Sequence, residues 1–426
     1  MPDALSFQRL QISNWRQFLE VDIDLSKQLT ILTGENGTGK TTLLSVLASH
    51  FGFQNNFVGT PAWVEGHFLF LAGRDPRWTS LDVSPVDPNV GVEFESIGRL
   101  IYASGEESDI GIWGQSSAPE FGVTFKDQQQ VPGLSLDSHR IVPSYGRVEN
   151  VPGRFKNAQE INQEYRQQLW QWKMPNLAIQ RKSPALLMKE SLIAAAIYGE
   201  GNSALVPDTE AAAVWTGFQE ILSKLLPPSL EFTRLQIDHA EVLVETKGGT
   251  FALEAASGGA SAIFDLAWQI YLQSRESDTF TVCFDEPENH LHPSLQRSIL
   301  PQLLSAFPSV KFIVATHSPF VVTSSKDASV YVLRRDREGR VFSEALDLRE
   351  QALTADEVLR EVLGVGTTLP LWAESEFDVI MRDFADRQLN PEDFVELARR
   401  LRSAGIRFSV PEVTDTVSDE LESSTE

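Results

Sequence analysis

Residues 34–41, Gly-Glu-Asn-Gly-Thr-Gly-Lys-Thr, space three glycines ahead of a lysine–threonine pair. That spacing is the pattern of a loop that cradles phosphates. Gly34, Gly37 and Gly39 let the backbone turn its N–H groups toward one point, and a helix opening after the lysine adds the positive end of its dipole. Lys40 is then placed for the β- and γ-phosphates and the Thr41 hydroxyl for Mg²⁺, with Asn36, Thr38 and Thr42 completing the loop. The flanks agree. Residues 29–32 are an apolar run that reads as a buried strand, and Leu43-Leu44-Ser-Val-Leu47 opens a helix. The stretch predicts a nucleoside triphosphate site.

Further carboxylates and polar ends could complete such a site. Thr281-Val-Cys-Phe-Asp285-Glu286 is an apolar strand ending in two acids. Set beside the phosphate-loop strand, Asp285 would face the Mg²⁺ shell and Glu286 would polarise a water in line with the γ-phosphate. A strand running into a solvated turn has the same pattern, but Pro287-Glu-Asn-His-Leu-His-Pro293 follows at once and raises the specificity. Lys311-Phe-Ile-Val-Ala-Thr-His317-Ser-Pro is a second buried strand with a polar end, where ligands sit in open α/β sheets. A lone histidine there is usually structural; after a phosphate loop and an acid pair, His317 reads as a γ-phosphate sensor. Ser257, Gly258 and Gly259 precede a helix expected over residues 262–272. Ser257 suits the N-cap and the glycines leave N–H groups free, which makes a second anion site. The plainer reading is a glycine-rich loop before an ordinary helix.

The elements that must hold these residues alternate along the chain. Two short apolar runs with a turn near Asn14 predict a hairpin leading into the loop strand. Residues 90–145 hold strand-like pieces, and 159–174, 185–198 and 208–226 read as helices separated by proline and glycine breaks. Strands return at 230–237 and 240–253, then at 279–284 and 310–315 with a helix over 295–307 between them, the grammar of a parallel sheet. Residues 330–333 add an edge strand, and 354–404 are helical.

With 426 residues the chain has room for two or three domains, and its apolar content, 42%, is that of a globular protein. A single cysteine, Cys283, fits a reducing compartment. The first residues lack a signal pattern and no apolar run reaches the roughly 18 residues that span a bilayer, so a cytoplasmic protein with no membrane partner is expected. Net charge is −23, which weighs against a broad grip on nucleic acid. Residues 412–426 carry six acids and no base, an acidic disordered tail. Residues 154–189 reverse the balance with seven Lys/Arg against two Glu, interleaved with Tyr165, Trp170 and Trp172. That stretch is either a helical lid with a solvated basic face and core-packed tryptophans, or an anchor for an acidic protein or a second copy. Nucleic acid there is possible but not favoured.

In this order the pieces resemble the ATPase heads of the ATP-binding-cassette class, with Ser257-Gly-Gly as the signature-like loop and His317 as the switch histidine. Transporters usually show Leu-Ser-Gly-Gly-Gln where this chain has Ala256-Ser-Gly-Gly-Ala. The Asp-Glu-Pro-Glu-Asn-His-Leu-His-Pro run, the Ala-Thr-His-Ser-Pro switch and the Asn14-Trp-Arg-Gln-Phe turn are instead similar to cytosolic ATPases of the overcoming-lysogenization-defect (OLD) family and to recombination and structural-maintenance-of-chromosomes heads. The resemblance covers about residues 5–55 and 230–335. It implies an α/β fold, a P-loop NTPase head of ABC type with a mixed central sheet and antiparallel β subdomain, plus an inserted helical subdomain and a helical C-terminal region. The expected boundaries are 1–150 and 230–345 for the two parts of the head, 151–229 for the helical lid, 346–410 for the C-terminal helices and 411–426 for the tail. It implies ATP and Mg²⁺ as ligands, the metal on Thr41 and Asp285, catalysis by Glu286 and His317, and nucleotide contacts from Arg16, Asn36 through Thr42, and Ser257 through Gly259. A Q-loop glutamine stays open among Gln54, Gln128, Gln129 and Gln130.

OLD nucleases carry a metal-dependent nuclease domain at the C-terminus, and residues after 333 show none of its acidic motifs. The chain therefore resembles the stand-alone ATPase subunits of Septu, PARIS and retron-type anti-phage systems. This implies a homodimer or higher homo-oligomer through the heads and a separate effector protein, a nuclease by class. The alternatives are a DNA-repair or recombination accessory ATPase and, behind it, a transporter's ATPase subunit.

Overall fold

The computed structural model describes residues 6–53, 56–64, 67–72, 94–113, 119–138, 140, 145–173, 182–201, 203, 205–348, 353–365, 367, 369–385 and 391–406. The chain divides into two compact units, Met1–Val358 and Leu359–Glu426.

The first unit opens with β1 (Phe7–Trp15) and β2 (Phe18–Asp24), an antiparallel hairpin. Leu10 and Ile12 are buried by alternation, and Phe7, beyond a register shift, and Trp15, beyond left-handed Asn14, are buried with them. Asn14 and Arg16 take left-handed backbone at the turn, φ 51° and 50°. The loop strand β3 (Leu29–Gly34), buried throughout, feeds α1 (Lys40–His50). Next come β4 (Phe94–Tyr102), β5 (Glu107–Trp113), β6 (Thr124–Lys126) and β7 (Gly133–Leu136). Helices α2 (Ala158–Lys173), α3 (Pro184–Glu200) and α4 (Thr209–Leu225) follow. Ser183 and Asp208 cap the last two through their side-chain oxygens, and Pro184 sits at the first turn where its missing N–H costs nothing.

A three-stranded meander, β8 (Phe232–Asp238), β9 (Glu241–Thr246) and β10 (Gly249–Ala252), leads to α5 (Gly258–Glu276). Then come β11 (Thr281–Asp285), α6 (Ile299–Ala306), β12 (Lys311–Ala315), β13 (Ser329–Arg335) and β14 (Val341–Leu346). Eleven strands form one sheet in the order β6-β5-β4-β1-β2-β14-β13-β3-β12-β11-β7. The five from β13 to β7 run parallel, and those from β6 to β2 run antiparallel. This is a P-loop ATPase-head fold, a mixed central sheet whose parallel half presents the loop.

Three expectations change. β11 does not lie next to β3, because β12 pairs with both and sits between them. Residues 329–335 are interior and not an edge: Val330, Val332 and Leu333 are buried, β3 flanks one side and β14 the other. The half-polar β14 sequence, Val-Phe-Ser-Glu-Ala-Leu, hid that last partner. Residues 295–307 are not one helix. The Ser298 hydroxyl donates to the Leu295 carbonyl (3.3 Å), and a short helical turn, Pro293–Gln296, precedes α6.

The basic stretch keeps a solvated face that is paired with acids, Arg154, Lys156 and Lys182 being 67%, 40% and 55% exposed. Arg154 pairs with Glu160, Lys156 with Glu164 and Lys182 with Glu190, while Lys189 is fully buried between Glu241 and Glu254. Tyr165 is in the core, but Trp170 and Trp172 are 44% and 42% exposed rather than packed. The side chain of Lys173, and Arg181, lie outside the described residues, as do Gln54 and the acidic tail. Among the described residues no helix is long and apolar enough to cross a membrane. In the second unit α7 (Leu371–Ala385) and α8 (Pro391–Ser403) pack through Phe377, Met381, Phe384, Leu397 and Leu401.

Two positions in the first unit carry measurable consequences. Gly34 has φ +134°, and a Cβ there would come within 2.5 Å of the Leu333 carbonyl oxygen on β13. Gly34→Ala should destabilise the chain by about 2 kcal/mol or more through strain and overpacking. Urea unfolding beside Gly122→Ala, where φ is not positive and nothing lies within 4 Å, tests this; equal midpoints would refute it.

His50 is buried, with its Nε2 2.9 Å from the Tyr102 hydroxyl and its ring edge-on to Phe7. Burial pushes its pKa from 6.5 down to about 4, so the folded ring stays neutral. As pH falls below 6.5 the unfolded chain takes up the proton first. Stability complete above that value should therefore drain by roughly 3 kcal/mol down to pH 4, then level off. Denaturation midpoints for wild type and His50→Gln, compared across that window, should converge toward low pH; parallel curves would contradict it.

Candidate nucleotide site

The glycines of the phosphate loop are held by contacts from two sides. Gly37 and Gly39 have φ 78° and 97°, backbone that a side chain would strain. A Cβ on Gly39 would lie 2.5 Å from the Phe18 ring and 2.6 Å from the Gln17 amide nitrogen, so the β1–β2 turn presses on the loop. On the other side, Arg335 at the end of β13 donates to the Gly37 carbonyl (2.8 Å). Thr38 is buried and its hydroxyl braces the Glu35 carbonyl (2.9 Å), while Asn36 is exposed and Thr42 half-buried.

Lys40 Nζ donates to the carbonyls of Gly34 (2.8 Å) and Glu35 (3.0 Å). Burial lowers its pKa, against the pull of Asp285, Glu286 and Glu288. The Thr41 hydroxyl donates to the Asp285 carboxylate (2.9 Å). Although β12 intervenes, Asp285 at the end of β11 still reaches the first turn of α1. Burial raises its pKa to about 6, countered by the Thr41 hydrogen bond and reinforced by Glu286 and Glu288.

Glu286 has left-handed backbone, φ 48°, and its N–H donates to the Ala315 carbonyl (2.8 Å). One carboxylate oxygen accepts from Asn289 (2.8 Å) and the other lies 3.4 Å from His317 Nδ1. The structure thus brings Lys40, Thr41, Asp285, Glu286 and His317 to one end of the parallel strands. Arg16 sits on the β1–β2 turn beside Gln17 and Phe18; its guanidinium lies over Trp15 and Phe57 and donates to the Val58 carbonyl (3.2 Å). Burial lowers its pKa. Ser257 caps α5 by accepting from the Ala260 N–H (3.4 Å). Gly258 faces open space and a Cβ on Gly259 would be 3.1 Å from the His290 carbonyl. Among the described residues no hydrogen bond joins residues 257–259 to the phosphate loop. Gln128 donates to the His50 carbonyl (2.7 Å), at the far end of α1.

Sequence reasoning missed four supports. Glu288 is buried, and its Oε1 accepts from the Thr316 hydroxyl (2.8 Å) and the His317 N–H (3.1 Å), which sets the backbone of the histidine. Asn289 also donates to the Ser138 carbonyl (3.1 Å). Arg140 reaches the Glu286 carbonyl (3.4 Å), and Arg335 the loop. Glu288 and Asn289 were visible in the motif; the arginines carried no sequence signal.

The donor set suits Mg²⁺. A hydroxyl and a carboxylate are hard oxygen ligands already within hydrogen-bond distance, and Mg²⁺ takes few protein ligands when phosphates and waters supply the rest.

Comparison with known proteins points to the same class of domain. Residues 127–323 match the family described as "AAA domain, putative AbiEii toxin, Type IV TA system", and residues 9–54 match one described as "AAA domain". The chain is 24% identical over 346 residues to "Septu protein PtuA" of Bacillus mycoides (strain KBAB4), covering 79% of this chain and 41% of that protein. It is 24% identical over 465 residues to "Retron Ec83 probable ATPase" of Escherichia coli, covering 92% of this chain and 82% of that one. An Smc head domain with an extended coiled coil from Pyrococcus furiosus, bound to the C-terminal domain of ScpA, aligns with TM-score 0.41 and 15% identity over 84% of this chain and 99% of that one. At that score the likeness is loose, and the fold rests on strand order and register. The chain carries an AAA-type P-loop ATPase domain and is a homologue of the Septu and retron ATPases.

Proposed function

We propose that this chain binds and hydrolyses ATP as the switch subunit of a bacterial anti-phage defence system. It assembles through its ATPase heads and controls a separate effector protein, a nuclease by class. One observation carries the catalytic part: Thr41, Asp285, Glu286 and His317 converge beside Lys40 where the phosphates of a loop-bound nucleotide belong.

Lys40, now on two loop carbonyls, would swing its ammonium onto the β- and γ-phosphates. Thr41 and Asp285 would hold Mg²⁺, which neutralises phosphate charge when bound. Glu286, turned by its left-handed backbone and steadied by Asn289, would orient the attacking water. His317 would donate to the γ-phosphate, its backbone fixed by Glu288. Phosphoryl transfer relies on positioning and charge stabilisation, which these groups can supply.

The defence-system half of the reading is supported by the Septu and retron relatives, with the chain spanning 41% and 82% of their lengths. A DNA-repair role is less well supported, since net charge is −23 and four of the basic residues of the helical stretch are paired with acids. Purification of the tagged chain from its native lysate, followed by mass spectrometry, tests the proposal. It should retain a second, nuclease-class protein, and phage plating should rise when Lys40→Ala replaces wild type. A chain that purifies alone and leaves plating unchanged would overturn the defence role.

A further inference from the structure

Away from the phosphate loop, a cavity of about 650 Å³ opens among α2, α5 and the edge strand β7. That volume is ample for a small ligand. Phe53, Trp170 and Trp172 contribute rings to its wall, and the two tryptophans are the half-exposed pair of α2. Large rings left open on a cavity wall offer faces for stacking. Arg140 and Arg166 share that wall with Asp137 and Asp265.

Neither arginine makes an ion pair among the described residues. Arg166 lies over the Phe53 ring, 4.7 Å from its centre. Arg140 makes one long hydrogen bond, to the Glu286 carbonyl (3.4 Å), and its buried Nε has no acceptor. Asp265 is occupied by the Tyr165 hydroxyl (2.6 Å) and the Gln269 amide (3.0 Å). A buried guanidinium N–H without an acceptor is costly, and none of the described residues supplies one to Arg140 Nε, although the Phe284 ring lies 4.9 Å from its guanidinium and the charges of Asp265 and Glu288 act on it.

We propose that this cavity binds a nucleoside phosphate apart from the ATP site, with its base against Trp170 and its phosphate on Arg140 and Arg166. Planar guanidinium forks match phosphate oxygens, and any base can stack on an indole face. The same chemistry is offered by a free mononucleotide and by the terminal nucleotide of a single strand.

Calorimetric titration of the Lys40→Ala chain keeps the phosphate loop out of the measurement. Thymidine 5′-monophosphate and a 5′-phosphorylated thymidine oligonucleotide are the two probes. At least one should bind at about one per chain, and Trp170→Ala and Arg166→Gln should each weaken it by about tenfold or more. Both side chains are partly exposed, so neither change hollows the core, and thermal melts matching the parent check the fold. Binding of the monophosphate identifies a free nucleotide as the ligand; binding of the oligonucleotide alone identifies a strand end. If neither probe binds at millimolar concentration, or both variants bind like the parent, the proposal fails. The ATPase reading is untouched by either failure, since the parent already lacks Lys40.

Discussion

Glu286→Gln is expected to keep ATP bound while slowing hydrolysis by about a hundred- to ten-thousandfold. The glutamine amide has the size of the carboxylate and keeps an oxygen that can still accept from Asn289, now at 2.8 Å. The backbone hydrogen bond from residue 286 to the Ala315 carbonyl does not involve the side chain and should persist. What disappears is the negative charge that polarises water, and that charge also faces His317 at 3.4 Å. Lys40→Ala should behave in the opposite way and lose nucleotide binding itself, because it removes the ammonium meant for the phosphates. Single-turnover hydrolysis of γ-labelled ATP, beside filter binding, separates the two variants. If Glu286→Gln hydrolyses ATP as fast as wild type, another group orients the water, and buried Glu288 is the next to test.

Much of this machinery was legible because its parts are local. The glycine spacing, Lys40, Thr41 and the apolar strands before Asp285 and His317 all lie within short runs whose pattern fixes both the element and its polar end. Long-range order was not legible. Nothing in residues 281–285 says that residues 311–315 will pair between them and the loop strand, since a crossover chooses neighbours by packing. The burial of Lys189 between Glu241 and Glu254 likewise removed one charge from an apparent basic face. Charge counted along a segment cannot show the acids that other segments bring. Arg140 illustrates the same limit. It follows a short strand with little signal, Gly-Leu-Ser-Leu, yet it touches the carbonyl of Glu286, 146 residues away.

Mixing two dead proteins should restore activity if each ATP site is completed by a second chain. Gly259 sits against its own His290 carbonyl and Ser257 caps its own α5, and within the described residues neither makes a hydrogen bond with its own phosphate loop. In a head-to-head dimer they would cover the γ-phosphate bound by the partner, with the first N–H groups of α5 free to receive it. A Lys40→Ala chain keeps its Ser257 loop, and a Ser257→Arg chain keeps its phosphate loop. Half of the randomly mixed dimers then hold both variants with one intact site each, so about a quarter of the wild-type rate should return if sites fire independently. Ser257→Arg also removes a helix cap, worth about 1 kcal/mol, which could mimic the effect by loosening α5. Ser257→Asp answers that objection: aspartate caps as well as serine but sets a negative charge against the phosphate. Both variants should be inactive alone and complemented alike. Recovery with neither, in mixtures shown by mass to co-assemble, would place the whole ATP site within one chain and leave the Ser257 loop as a helix cap.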